Sequence, residues 1–150
     1  MAKIRLSVEI SAPTNLVGAF FVPQRMAYWY GCETDSLFEV QRGASEFQVG
    51  LKIRISGRLS KRDVSLVTVV TAYQPGRLLE WRFHDAYGVT GLQSWEIERV
   101  GAGARVHMRD EYEMPGRIGK FWDRCFMQYA VRMRDQRDLE QLKRYAERKG

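Results

Sequence analysis

A single aspartate, Asp110, is the residue of this sequence whose position most directly suggests chemistry. In residues 105–114, every second side chain is apolar except Asp110, which falls between Met108 and Tyr112. Residues two apart share one face of a strand, so this carboxyl group is predicted to point inward. A buried carboxylate either finds a partner or retains a proton, and a protonated acid in an apolar interior can perform general acid–base catalysis. The alternatives are a bulge that turns Asp110 outward, or a hydrogen bond to the hydroxyl of Tyr112 or Tyr129 without any chemistry.

The same alternation predicts a group of large side chains around Asp110. They are Trp81, Phe83, Trp95, Met108 and Tyr112 on the concave face of a sheet, and Phe121, Trp122, Cys125 and Tyr129 on a facing helix. Such rings either fill a core or line an apolar cavity. Buried Tyr hydroxyl and Trp N–H groups need partners, which favours a cavity that binds a ligand. Trp29, close to Gly31, is predicted to be a lid at its entrance.

The other reactive residues predict no second site. His84 and His107 fall on the opposite, solvent-facing side of their strands, and neither has an acidic residue or a cysteine at metal-ligand spacing, so no metal site is expected. Cys32 and Cys125 form no paired spacing and are predicted to be free thiols. Phosphate-binding loops, dinucleotide fingerprints and nucleophile elbows are absent from the sequence, and no cofactor is expected.

Strands and one long helix must position these residues. The alternating segments predict seven strands, at residues 3–11, 33–41, 47–56, 64–73, 77–84, 91–100 and 105–114, with two short helices between the first two. Residues 117–149 are predicted to form an amphipathic helix because apolar residues recur there at steps of three and four. Short connections favour an antiparallel meander. The predicted fold is therefore α+β, with a curved antiparallel seven-stranded sheet wrapped around a long C-terminal helix in a single domain over residues 1–150.

Composition excludes several classes of protein. The 150 residues are 45% hydrophobic and 28% charged, as in ordinary globular proteins, and no apolar run is long enough to span a membrane. The first residues do not resemble a signal peptide, so a cytoplasmic location is expected. Residues 117–150 carry ten basic and five acidic side chains and account for +5 of the net charge of +6. Basic and acidic residues three or four apart, such as Arg134 and Asp138, are predicted to pair with each other on a solvated face of the helix. No nucleic-acid partner is therefore expected.

Several segments resemble the START/Bet v 1-like (SRPBCC) helix-grip superfamily, and within it the polyketide cyclase/dehydrase and lipid-transport group. The segments are Ile10-Ser11-Ala12-Pro13 at the end of the first strand, Phe20 to Trp29 with Pro23, Tyr73 to Trp81 with its Pro75-Gly76-Arg77-Leu78 turn, and Gly101 to Val106. Ala104 stands where that group usually has Thr. The resemblance covers nearly the whole chain. It implies a cavity between sheet and helix for apolar or amphipathic molecules such as lipids, quinones or polyketides, but it does not imply one activity.

Three functions are compatible with these observations. The first is binding or carriage of a small hydrophobic molecule, by a monomer or homodimer. The second is a polyketide cyclase or dehydratase with Asp110 as the acid/base and Tyr112 or Tyr129 orienting the substrate. The third is an interaction protein whose basic C-terminal helix meets a partner, a membrane surface or RNA, with binding that falls steeply as salt is raised. The absence of a catalytic motif favours the first.

Overall fold

A computed structural model describes residues 2–30, 37–59, 62–117, 121 and 126–149. Its strands are β1 (Ala2–Ile10), β2 (Leu37–Val40), β3 (Lys52–Leu59), β4 (Arg62–Gln74), β5 (Leu78–Asp85), β6 (Thr90–Val100) and β7 (Gly103–Glu113). The helices are α1 (Thr14–Gly18), α2 (Pro23–Trp29) and α3 (Gln128–Lys149), and Gln41–Gly43 forms a 3-10 turn. Pro13 and Pro23 fit the starts of the two short helices, where a missing N–H is tolerated.

The seven strands form one antiparallel sheet in the order β1-β7-β6-β5-β4-β3-β2. From β2 to β7, strands that are consecutive along the chain pair with each other. The first strand, β1, pairs with β7. The apolar face of the curved sheet meets α3, so the predicted helix-grip architecture is confirmed. Along β7, buried and half-buried residues alternate, which gives the predicted inward side to Met108, Asp110 and Tyr112.

Two boundaries differ from the prediction. The third strand starts at Lys52 and not at Phe47, because residues 47–51 form a turn in which Gly50 has a φ of 92°, a conformation that favours glycine. The regular α-helix described at the C-terminus begins at Gln128. Residues 116–117 and 121 are also helical, residues 126–127 form a π-type turn, and 118–120 and 122–125 lie outside the described residues.

The C-terminal half of α3 is fixed to the end of β1 by polar contacts. Lys143 Nζ donates to the backbone carbonyl of Glu9 at 2.7 Å and contacts Glu147 Oε2 at 2.6 Å. Glu147 Oε2 also accepts the backbone N–H of Ser11 at 2.8 Å. These hydrogen bonds lower the pKa of Glu147 below its usual range. The contacts are exposed and orient the helix more than they stabilise it.

Gly91 in β6 is required by close packing. A Cβ added there would overlap the backbone oxygen of Glu111 and lie 2.5 Å from Cζ of Phe83. Because backbone cannot move away as a flexible side chain can, we expect Gly91→Ala to lower the free energy of unfolding by about 1–3 kcal/mol. Urea denaturation would measure the loss. The exposed neighbour Thr90→Ser should change stability by no more than about 0.5 kcal/mol. Equal stability of the two variants would contradict the packing argument.

Candidate functional site

Asp110 is buried between the sheet and α3, as predicted, with 1% of its surface exposed. Its Oδ2 accepts two hydrogen bonds of 3.3 Å, one from Nε2 of Gln93 on the neighbouring strand β6 and one from the Arg134 guanidinium on α3. A guanidinium and an amide provide what a buried carboxylate needs to remain in an apolar interior. Asp110 therefore links the sheet to the helix.

Gln93 is held in one orientation by two donors. Its Oε1 accepts the hydroxyl of Tyr30 at 2.7 Å and the indole N–H of Trp81 at 2.8 Å. Since both donors occupy the carbonyl oxygen, the amide NH₂ must face Asp110. Gln93 is fully buried, and it connects the end of α2 to β5 and β7. The side chains on the sheet side of the site are thus preorganised.

The helix contributes Arg134, Asp135 and Asp138. Arg134 donates to Asp135 Oδ1 from its Nη2 at 3.1 Å and from its Nε at 3.3 Å, in addition to its hydrogen bond to Asp110. Asp135 and Asp138 are 0% and 4% exposed, whereas the side chain of Arg134 is 17% exposed. We call Tyr30, Gln93, Asp110, Arg134, Asp135 and Asp138 the buried polar cluster.

Asp110 and Asp135 share the Arg134 guanidinium, and the charge of Asp138 acts on the same cation. Burial raises the pKa of Asp135 well above its usual range, and the nearby Asp110 charge, a hydrogen bond with Asp110 and the charge of Asp138 raise it further, whereas Arg134 lowers it. Burial also raises the pKa of the Tyr30 hydroxyl, which stays protonated as a donor. For Arg134, burial lowers the pKa, but the surrounding carboxyl groups and Tyr30 more than offset this and hold it charged. Burial and the neighbouring carboxyl groups therefore favour the protonated form of Asp135.

The aromatic residues beside the cluster contact one another edge to face. The ring centroids of Trp81 and Trp95 are 4.9 Å apart at 75°, and those of Trp29 and Trp95 are 6.1 Å apart at 84°. All three tryptophans are fully buried. Trp29 also donates its N–H to the backbone oxygen of Phe20 at 3.0 Å, so it is a core residue, and its predicted place as a lid is wrong. Trp95 N–H has no acceptor among the described residues.

The remaining predicted site residues divide into three groups. Phe83, Met108 and Tyr112 are buried on the inner face of the sheet, where the alternation predicts them. Phe121 and Tyr129 are 65% and 71% exposed, so their predicted position against the sheet is wrong. Trp122 and Cys125 lie outside the described residues, as does Cys32.

The helix was misaligned in the prediction because its inner face is partly charged. The buried positions of α3 are Val131, Asp135, Asp138, Leu139, Leu142 and Ala146, at steps of three and four. Tyr129 lies two residues before Val131, about 200° away around a helix with 3.6 residues per turn. The spacing of the apolar residues in the C-terminal half alone would have given the correct face. The predicted solvated face is wrong for Arg134 and Asp138 for the same reason, since both belong to the buried polar cluster.

Of the buried polar cluster, sequence reasoning predicted only Asp110 as a site residue and missed Tyr30, Gln93, Arg134, Asp135 and Asp138. Gln93 lies two residues from Trp95 and so shares its predicted inward side. That alternation could have identified Gln93. The hydrophobic pattern of an amphipathic helix instead assigns Asp135 and Asp138 to the surface. Among the described residues, no helix is both long and apolar enough to cross a membrane.

Comparisons with known proteins agree with this fold. Structures similar to this chain include the Zhui aromatase/cyclase from Streptomyces sp. R1128 (16% identity, TM-score 0.75, covering 98% of this chain and 94% of that one). A protein of Thermus thermophilus is similar too (18% identity, TM-score 0.75, 97% of each chain), as is one of Chromobacterium violaceum (19% identity, TM-score 0.70, 97% of this chain and 96% of that one). No curated protein matches the sequence. The family model described as polyketide cyclase/dehydrase and lipid transport matches residues 1–147, and the chain belongs to that family.

Proposed function

We propose that the interior between the sheet and α3 binds a small hydrophobic or amphipathic molecule of the lipid, quinone or polyketide type. The buried polar cluster carries this proposal, because it provides charged and neutral hydrogen-bonding groups within an interior that is otherwise apolar. Sites of this composition bind an apolar body and fix its orientation through a few polar contacts. The unpaired N–H of Trp95 provides a further donor for an oxygen of the ligand.

Mass spectrometry of the gently purified protein tests this proposal. We expect a copurifying apolar molecule, which solvent extraction would assign to a chemical class. Where the protein is empty, a panel of lipids, quinones and aromatic polyketides should raise its melting temperature, since a ligand at about 100 times its Kd stabilises the folded state by about 2.7 kcal/mol. An empty protein that no member of the panel stabilises would contradict the proposal.

A second candidate function is polyketide cyclisation or dehydration with Asp110 as acid/base. The observation that favours it is that a second buried carboxyl group, Asp135, shares the Arg134 guanidinium with Asp110, and burial raises the pKa of Asp135. Carboxyl groups with unequal proton affinities are the arrangement that general acid–base catalysis requires. Tyr112, buried beside Asp110 on the same strand face, is the candidate for orienting the substrate, whereas the exposed Tyr129 is too far out for that role. The aromatase/cyclase named above has the same fold.

Asp110→Asn separates the two functions. The substitution keeps the shape of the side chain and removes its ability to exchange a proton. For a cyclase, we expect turnover of a linear aromatic polyketide to fall by about 10²–10⁴-fold while the melting-temperature shift caused by the ligand is retained. For a carrier, neither quantity depends on proton transfer, and the protein has no turnover to lose. Glu140→Gln, an exposed carboxylate on α3, is the matched control.

A further inference from the structure

A row of exposed aromatic and cationic side chains on the helical segment has no role in the functions above. Phe126 and Tyr129 are 57% and 71% exposed, and Arg132, also exposed, follows at the next step of three residues. Residues three apart are neighbours on a helix surface, so these three form one continuous row. Phe126 and Tyr129 lie on the side of the helix away from Val131 and Asp135, which face the sheet, and Arg132 lies at the edge of that side, three residues before Asp135. Phe121, earlier in the segment, is 65% exposed.

The exposed charges described between residues 117 and 137 are all positive, and the next exposed charged residue along the helix is the acidic Glu140. Between residues 117 and 137, the exposed charged residues described are Arg117, Arg132 and Arg137. The acidic residue described in this range, Asp135, is buried against the sheet, and so is Asp138 one turn further on. The fold buries both of these acids and partly buries Arg134, so the charges left exposed among the described residues of this range are those of arginines.

We propose that this row docks the protein onto the surface of an anionic phospholipid bilayer. Phenylalanine and tyrosine side chains are favoured at the boundary between headgroups and acyl chains, and arginines beside them attract anionic headgroups. No helix among the described residues can cross a bilayer, so the helix lies on the membrane and does not span it. Phenylalanine has no polar group, which favours hydrocarbon over a phosphate backbone or an aqueous interface as its surroundings.

Vesicle flotation with the full chain tests this proposal. We expect the protein to float with vesicles of phosphatidylcholine mixed with phosphatidylglycerol about tenfold more than with phosphatidylcholine alone, and the difference to fall as salt is raised. The double variant Phe126→Ser and Tyr129→Ser should lose about tenfold in binding, and Arg132→Glu should lose most of the preference for anionic vesicles. Val49→Ser removes an apolar side chain that is 67% exposed in the turn before β3, and it should bind as the unchanged protein does.

Three results would overturn the proposal. The first is equal or no flotation with the two kinds of vesicle. The second is a dimer in solution that the serine variants convert to monomer, which would make the row an interface between two copies. The third is salt-dependent binding of an RNA oligonucleotide, lost in Arg132→Glu, by a protein that binds no vesicles. Circular dichroism of each variant confirms that the fold is unchanged, as expected for exposed positions.

Discussion

Replacing Arg134 by alanine is expected to lower the free energy of unfolding by about 3–5 kcal/mol, the usual result of removing one partner from a buried ion pair. Arg134 is the cation that bonds both Asp110 and Asp135, whose side chains are 1% and 0% exposed. Without it, the carboxyl groups of the buried polar cluster must either remain charged in an apolar interior or take up protons. Urea denaturation at neutral pH, followed by circular dichroism, would measure the change.

Arg132→Ala is the matched control for this prediction. Arg132 lies on the same helix but is exposed, so its loss should change stability by no more than about 0.5 kcal/mol. Adding Asp110→Asn and Asp135→Asn to the Arg134→Ala variant should recover part of the loss, because the amides need no counter-ion. If Arg134→Ala unfolds at the same urea concentration as Arg132→Ala, the ion pairs do not hold the helix on the sheet.

The strands and their inward residues could be predicted from the sequence because strand alternation is a local signal. In β5, β6 and β7, every second residue is apolar with few exceptions, such as Gln93 and Asp110, and a shift by one residue would place a whole row in water. This constraint is strong enough to predict that Trp81, Trp95 and even the charged Asp110 face inward, and the structure buries all three. Phe47 shows its limit. It continues the alternation of β3 but lies in a turn, because Gly50 adopts a positive φ that ends the regular strand.

The facing helix could not be aligned by the same reasoning because two of its inward positions are aspartates. Hydrophobic spacing assigns charged residues to solvent, and Asp135 and Asp138 are tolerated inside only because Arg134 and the sheet surround them. Tyr30 and Gln93, the other members of the buried polar cluster on the sheet side, are 105 and 42 residues from Asp135 along the chain, separations that no local pattern of residues reports. The exposed Tyr129 was assigned inward as a consequence, and the basic residues of the helix were predicted to pair with acidic residues, two of which the structure buries.

Raising the pH is expected to weaken the docking of α3, because Asp135 must then ionise in the interior. Its pKa is raised in the folded protein by burial and by Asp110, with Asp138 adding to the effect and Arg134 opposing it. Because the pKa is raised in the folded state, this carboxyl group makes its full contribution to stability at pH values below the pKa of the unfolded side chain, about 3.9. The contribution is lost as the pH rises toward the pKa of the folded state. Each unit between the two pKa values is worth about 1.4 kcal/mol.

Asp135→Asn isolates this effect, since its amide cannot ionise. We expect the difference in unfolding free energy between this variant and the unchanged protein to move in favour of the variant as the pH is raised from about 4 to about 9. The exposed carboxylates Glu98 and Glu147 have lowered pKa values, so they act with the opposite sign, but they are present in both proteins and cancel in the difference. Glu140→Gln, on the exposed side of the same helix, should give a difference that does not vary with pH. If the difference in unfolding free energy for Asp135→Asn also does not vary with pH, Asp135 is already ionised in the folded protein. Arg134 would then outweigh the effects of burial and of Asp110 on its pKa.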